Sequence, residues 1–288
     1  MPKLITWNIR SARTPHGGAD LDRVVSTLTR FSHFDVLCLQ EVACGYEADD
    51  GSLLGDQFAG LALRLPGYNL ASCTALDTLA PEGSRRRLGT MIFSRYRILQ
   101  VLRHSLPWPA DPDVTSMPRS ALEVTLHTPA GLLRVLSVQL EHASLVGRTA
   151  QVERLRELQR EAAAHARLAR PGRPERGPEP GAFETPPRAA DTVLLGDFSM
   201  LPDSPDYARL LSPFADGTPA LRDAWRLAQP GRRHAPTVGL HDDQPDAGAP
   251  FTFDFAFVSA GLAERVGRMR VDAAETGSDH QALLLELG

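Results

Sequence analysis

Apolar residues fall into two rhythms along this chain, and the changes of rhythm mark its elements. Short apolar runs, some unbroken and some alternating, predict strands at 4–8, 35–40, 89–93, 98–104, 120–127, 132–140, 192–197, 251–258, 268–271 and 282–287. A period near 3.6 takes over at 20–31, where Leu21, Val24, Val25, Leu28 and Phe31 share one face behind an Asp20 cap. It returns around 57–65 and again over 148–170. There Val152, Leu155, Leu158, Ala162, Ala166 and Ala169 make an inner stripe that Pro171-Gly172 ends. Thr128-Pro129-Ala130-Gly131 joins two strands as a hairpin. Residues 45–88 read as mixed, with a loop rich in Gly, Pro and Arg after Asp77. Residues 171–190 are apolar-poor and Pro-rich, which predicts a mobile surface loop, since core strands continue on both sides. No internal repeat stands out. Two β-rich halves with helices outside predict an α/β sandwich of sheets, with 1–288 as a single domain.

Composition narrows the partners. Apolar residues make up 42% of the 288, enough for a sizeable core. Lys and Arg number 31 against 35 Asp and Glu, a net charge of −4 that argues against coating nucleic acid by bulk charge. A local basic lip remains compatible with it. Three cysteines (Cys38, Cys44, Cys73) cannot all pair, and Cys38 lies inside an apolar strand, so a reduced, cytoplasmic setting is expected. No apolar run approaches the roughly 18 residues that a membrane span needs, so no membrane insertion is expected.

Candidate chemistry sits where the strands stop. Thr6-Trp7-Asn8-Ile9, Leu39-Gln40-Glu41-Val42, Leu195-Gly196-Asp197-Phe198-Ser199, Phe253-Asp254-Phe255 and Ser278-Asp279-His280 follow one another along the chain. Four of the five lie at or just beyond a strand end. Strands that end together aim such side chains at one point. The resulting acidic pocket suits a hard divalent cation and includes one group titrating near neutrality. Asp254 interrupts a run of phenylalanines (Phe251, Phe253, Phe255, Phe257), so its carboxylate needs a partner, and His280 is the natural one. Taken alone, Asn8 and Gln40 are strand caps, and Glu41 and Asp197 are solvated turn residues. The other histidines (His16, His33, His104, His127, His165, His234, His241) carry no motif and read as surface or packing residues. Ser278-Asp279-His280 is no serine-hydrolase triad, because no Gly-x-Ser-x-Gly elbow precedes a helix.

In this order the five segments resemble the endonuclease/exonuclease/phosphatase superfamily, over residues 4–287. The resemblance implies a DNase I-like fold, a four-layer α/β/β/α sandwich of two mainly antiparallel sheets with outer helices. It also implies a phosphoesterase dependent on Mg²⁺ or Mn²⁺. On that basis Glu41 is the principal metal ligand, with Asn8 beside it on metal or phosphate and Asp279 as a second carboxylate. Asp197 orients and deprotonates the attacking water. His280 meets the phosphate, held in its tautomer by Asp254, whose charge raises the pKa of the ring. Two positions depart from the pattern. Gln139 stands where a phosphate-binding histidine is common, and Ser199 where Gly-Asp-x-Asn is usual. An amide N–H still bonds a phosphoryl oxygen, while losing one donor costs on the order of 10²–10³ in rate. His142, three residues on, is a candidate to compensate. Arg119 resembles a basic position near the phosphate, and Arg85-Arg86-Arg87 is expected in a loop beside the mouth.

The leading expectation is hydrolysis of a phosphodiester, in nucleic acid or a nucleotide, by in-line attack of water. Val42-Ala43 after Gln40-Glu41 differs from the Thr-Lys usual in abasic-site endonucleases. The Trp-Cys-Asp-Arg segment of inositol-polyphosphate 5-phosphatases is lacking. Thr6-Trp7-Asn8 with Leu39-Gln40-Glu41-Val42 is similar to the tyrosyl-DNA phosphodiesterase branch. The alternatives are a weakened, phosphate-binding member, motivated by Gln139 and Ser199, and a phospholipid or sphingomyelin-type phosphodiesterase. Nothing points to an obligate protein partner.

Overall fold

A computed structural model describes residues 2–14, 17–168, 188–242 and 248–288. Two six-stranded sheets dominate. The first runs β11-β12-β1-β2-β4-β3, from β1 (Lys3–Asn8), β2 (Val36–Cys44), β3 (Asn69–Leu79), β4 (Arg85–Ser94), β11 (Val266–Val271) and β12 (Leu283–Leu287). The second runs β5-β6-β7-β8-β10-β9, from β5 (Arg97–Ser105), β6 (Ser120–Thr128), β7 (Gly131–Gln139), β8 (Thr192–Asp197), β9 (Leu221–Asp223) and β10 (Asp254–Ser259). The helices are α1 (Leu21–Phe31), α2 (Gln57–Arg64), α3 (Leu145–Leu168), α4 (Pro205–Leu211) and α5 (Ala224–Ala228). The α/β sandwich and its mainly antiparallel sheets match the expectation from sequence.

Strand alternation builds the layers. Leu4, Val36, Cys38 and Ile92 from the first sheet meet Leu122, Val124, Val193, Leu195 and Val258 from the second, which makes the central apolar layer. Their neighbours Ile5, Trp7, Leu37 and Leu39 point the other way, onto Val24, Leu28 and Phe31 of α1 and Leu61 of α2. On the far side Val138, Leu194, Phe255 and Phe257 pack against Val152, Leu155 and Leu158 of α3 and Tyr207 of α4. The central strands β1, β2, β7, β8 and β10 are therefore buried on both faces, which explains their near-continuous apolar runs.

One feature of the topology positions the site. Each sheet contains one parallel pair: β1 with β2, where Asn8 faces Gln40, and β7 with β8, where Gln139 faces Asp197. Parallel neighbours end on the same side, so four strand termini lie together. β10 and β12 run antiparallel to β8 and β1, so their starts fall at that same edge. The register sets Asp254 opposite Asp197, and His280 lies just before β12.

The structure corrects several sequence expectations. The mixed stretch 45–88 holds the whole of β3 and the start of β4. β3 is an edge strand with many exposed positions, so it lacks the buried apolar signature. Arg85, Arg86 and Arg87 lie on β4 and not in a mouth loop. They pair with Asp77, Glu82 and Asp56, respectively. Asp254 opens β10 and does not interrupt it, because Phe251 makes only an isolated bridge to Val238. The short β9, α4 and α5 carry too few residues for a periodic signal. The end of the 148–170 helix and most of the 171–190 loop, residues 169–187, lie outside the described residues.

Candidate active site

Glu41 reaches the site through a break in regular pairing. The β2–β4 register slips between Leu39 and Val42, and Glu41 takes a left-handed backbone with φ 56°. Such a bulge re-aims one side chain out of the sheet. Asn8 ends β1 beside it and is 1% exposed. Its Nδ2 donates to Glu41 Oε1 at 2.9 Å and to Asp197 Oδ2 at 3.1 Å. Its Oδ1 accepts the Arg10 N–H at 3.0 Å, which fixes the amide's orientation. Gln139, at the end of β7, makes the mirror-image contacts. Its Nε2 donates to Glu41 Oε1 at 2.7 Å and to Asp197 Oδ2 at 3.4 Å. Two amides thus brace two carboxylates, one contributed by each sheet.

Asp197 closes β8. The glycine before it has φ 146°, and a Cβ there would lie 2.0 Å from the Val138 carbonyl oxygen. Only glycine lets β8 approach β7 this closely. Ser199 donates to Asp197 Oδ1 from its N–H at 2.9 Å and from Oγ at 3.1 Å. That leaves Oδ2 turned toward Asn8, Gln139 and His280. Ser199 itself is left-handed at φ 48°, a conformation asparagine adopts readily, so the usual family residue suits the backbone here.

His280 Nδ1 lies 2.8 Å from Asp254 Oδ2, so its Nε2 is free to face the site, 4.0 Å from Asp197 Oδ2. Because a carboxylate only accepts, Nδ1 carries the proton in this bond. Burial opposes charge on the ring, but the adjacent Asp254, with Asp197 and Asp279 nearby, pushes its pKa up to about 10. Burial in turn raises the Asp254 carboxyl, against the pull of His280. The 278–280 segment is fastened to β1: Ser278 Oγ donates to the Asn8 carbonyl at 2.9 Å, and Trp7 Nε1 to the His280 carbonyl at 2.9 Å.

The structure therefore gathers Asn8, Glu41, Gln139, Asp197, Ser199, Asp254 and His280 around one point. Three candidates make no hydrogen bond to these side chains among the described residues. Asp279 turns outward, its side chain 49% exposed and 3.8 Å from Arg10. His142 is exposed and edge-on to Phe253 at 6.0 Å, with no side-chain hydrogen bond among the described residues. Arg119 lies beside Gln139 but is held by Glu141 at 3.3 Å. Sequence reasoning missed Glu141, although an acid two residues past Gln139 was a visible signal. It also missed Thr237, whose Oγ1 accepts the Asp254 N–H at 3.1 Å, and nothing in its Pro-rich surroundings announces it.

The donor set bears on a metal. Glu41 and Asp197 offer carboxylate oxygens, the hard donors that Mg²⁺ or Mn²⁺ takes, while Asn8 and Gln139 turn amide N–H groups onto them. Asp197, Asp254 and His280 also form a close acidic group within 4.8 Å of one another. The 2.8 Å bond between Asp254 and His280 consumes that pair, so the Glu41 side fits a cation better.

Carboxylates and amides thus converge at the joined ends of two packed sheets. The chain belongs to the Endonuclease/Exonuclease/phosphatase family, whose model matches residues 5–280. Solved structures share the fold. A family member from Beutenbergia cavernae DSM 12333 is 24% identical with a TM-score of 0.65, covering 100% of this chain and 72% of its own. The mannosyl-6-phosphatase Bt3783 of Bacteroides thetaiotaomicron is 17% identical with a TM-score of 0.64, covering 100% of both chains. A humanized D. rerio TDP2 is 15% identical with a TM-score of 0.61, covering 100% of this chain and 98% of its own. No curated protein matches the sequence.

Proposed function

We propose that this chain is a divalent-metal-dependent phosphodiesterase acting on nucleic acid or nucleotides. The observation that carries the proposal is the pair of carboxylates, Glu41 and Asp197, braced by the Asn8 and Gln139 amides, with Nε2 of the Asp254-held His280 4.0 Å from Asp197. Glu41, with Asn8 beside it, is the place for the cation, which supplies neutralising charge to the phosphoryl oxygens.

The chain's own groups divide the rest of the work. Asp197, fixed by Ser199 on Oδ1 and with Oδ2 facing His280, is the carboxylate that orients water and takes its proton. Asp254 holds the His280 ring with Nε2 toward the site, and the charged ring donates to a phosphoryl oxygen as negative charge builds on phosphorus. Gln139 presents a neutral donor where relatives commonly use histidine, so its contribution does not titrate. One solved structure of the same fold is a mannosyl-6-phosphatase, so the ester class is the finer part of the proposal.

The test is hydrolysis of bis(p-nitrophenyl) phosphate in Mg²⁺ or Mn²⁺ by wild type and Asp197→Ala. Wild type is expected to turn over, and Asp197→Ala to lose at least roughly 10³-fold in kcat. Equal background in both favours a phosphate-binding protein without turnover and contradicts the proposal.

A further inference from the structure

Phe251 forms a ridge between two surface grooves and is 37% exposed. On one side a groove of about 700 Å³ is lined by Arg10, Arg13, Ser278 and Asp279, the last two next to His280 in sequence. On the other side a groove of about 820 Å³ is lined by Leu201, Arg226, Arg232, Arg233 and His234. Both are anchored to the catalytic frame. Leu201 follows Ser199 by two residues, and Phe251 pairs with Val238, which also bridges His280.

The two grooves differ in charge. In the first, Arg10 leans on Asp279 and Arg13 pairs with Asp49. In the second, Arg232 and Arg233 are exposed and, among the described residues, make no side-chain hydrogen bond or ion pair. Arg226 sits over the Tyr207 ring at 4.9 Å and lies 3.9 Å from Asp223. Asp203 is the acidic group in that lining. The wall is rigid: His234, its side chain 8% exposed, bonds Asp223 at 2.6 Å and stacks on Trp225 at 5.8 Å. Two adjacent unmatched arginines beside an exposed ring, on a chain of net charge −4, form a local anion track. Aromatic face plus cationic groove is the combination that holds single strands, because every base offers a face to stack and every linkage a charge.

We infer that the groove beyond Phe251 carries the single-stranded polynucleotide flanking the cleaved linkage. A base stacks on Phe251, and backbone phosphates meet Arg232 and Arg233. This rests on the proposed function and narrows its substrate. A duplex keeps its bases stacked on one another and cannot offer one to Phe251.

The experiment compares a single-stranded 12-mer, its duplex and bis(p-nitrophenyl) phosphate, using wild type, Phe251→Ala and an Arg232→Ala/Arg233→Ala double variant. Phe251→Ala is expected to lower kcat/KM for the single strand roughly tenfold. The double variant should lower it similarly and make its log–log salt dependence shallower by about 1.4, at ~0.7 per phosphate contact. Turnover of the small diester should stay within about twofold of wild type, since these residues touch none of the catalytic groups. Undiminished cleavage of the strand by both variants overturns the inference, as does equal loss on strand and small diester, or wild-type preference for duplex. Wild type that cleaves the small diester but not the strand sinks this inference alone. Wild type that cleaves neither takes the proposed function with it.

Discussion

Five non-glycine residues among those described have positive φ, and they are Arg10, Ser11, Ala12, Glu41 and Ser199. All sit in the site or in the turn leaving Asn8. Strain of this kind costs about 1–3 kcal/mol per residue and persists where the surroundings enforce it. Ser199→Asn is therefore expected to raise stability by up to about 1 kcal/mol in a denaturant melt, since asparagine tolerates this backbone. Gln139→Ala removes the 2.7 Å donor to Glu41 and should cost on the order of 10²-fold in kcat. Charge at His280 sets the pH response. With its pKa raised to about 10, the ring stays charged through neutrality, and the rate should fall only as pH passes about 10. Its stabilising effect on the fold follows the same sign: complete below about pH 6.5, lost as pH rises through about 10. Asp254→Asn removes the largest raising charge and leaves Asp197 and Asp279 against the opposing burial. The basic limb of the pH–rate profile should then move to lower pH, and an unmoved limb would contradict the assigned pairing.

At the scale of elements, the site depends on how closely β7 and β8 run together. Gly196→Ala would set a methyl 2.0 Å from the Val138 carbonyl oxygen, so a loss well above ~1 kcal/mol is expected on unfolding in urea. Behind the same strands, Glu123 of β6 is 1% exposed and accepts from Arg134, Arg188 and His104. Burial alone would raise its pKa, but these three partners hold it well below the usual carboxylate range. Glu123→Gln leaves the equally buried Arg134 uncompensated and should cost roughly 3–5 kcal/mol. His104 and His234, which carry no sequence motif, are bound in this network and in the Asp223 pair. A lone histidine in a sequence says nothing of the carboxylate that finds it through the fold. The inner strands were legible because burial on both faces leaves long apolar runs. β3 was not, because an edge strand keeps polar positions and its pairing with β4 is a long-range fact.

For the whole molecule, the order of short motifs was informative and their convergence was not visible. Asn8, Glu41, Asp197, Asp254 and His280 meet because two parallel pairs and two antiparallel returns place six strand ends at one edge. No local pattern states that. Asp279 sits in the same motif as His280, yet it lies in the bend before β12 and faces Arg10. His142 was placed by its nearness to Gln139 in sequence and Arg119 by its resemblance to a basic family position; His142 lies edge-on to Phe253, and Arg119 is held by Glu141. Glu41, braced across the two sheets to Asp197 by the Asn8 and Gln139 amides, is the proposed ligand of the cation. A Mn²⁺ titration followed by electron paramagnetic resonance tests this role on wild type, Glu41→Gln and Asp197→Asn. Saturable binding is expected for wild type, weakened at least about tenfold in Glu41→Gln and measurably in Asp197→Asn. Identical binding by all three proteins, or none by wild type at millimolar Mn²⁺, would contradict it.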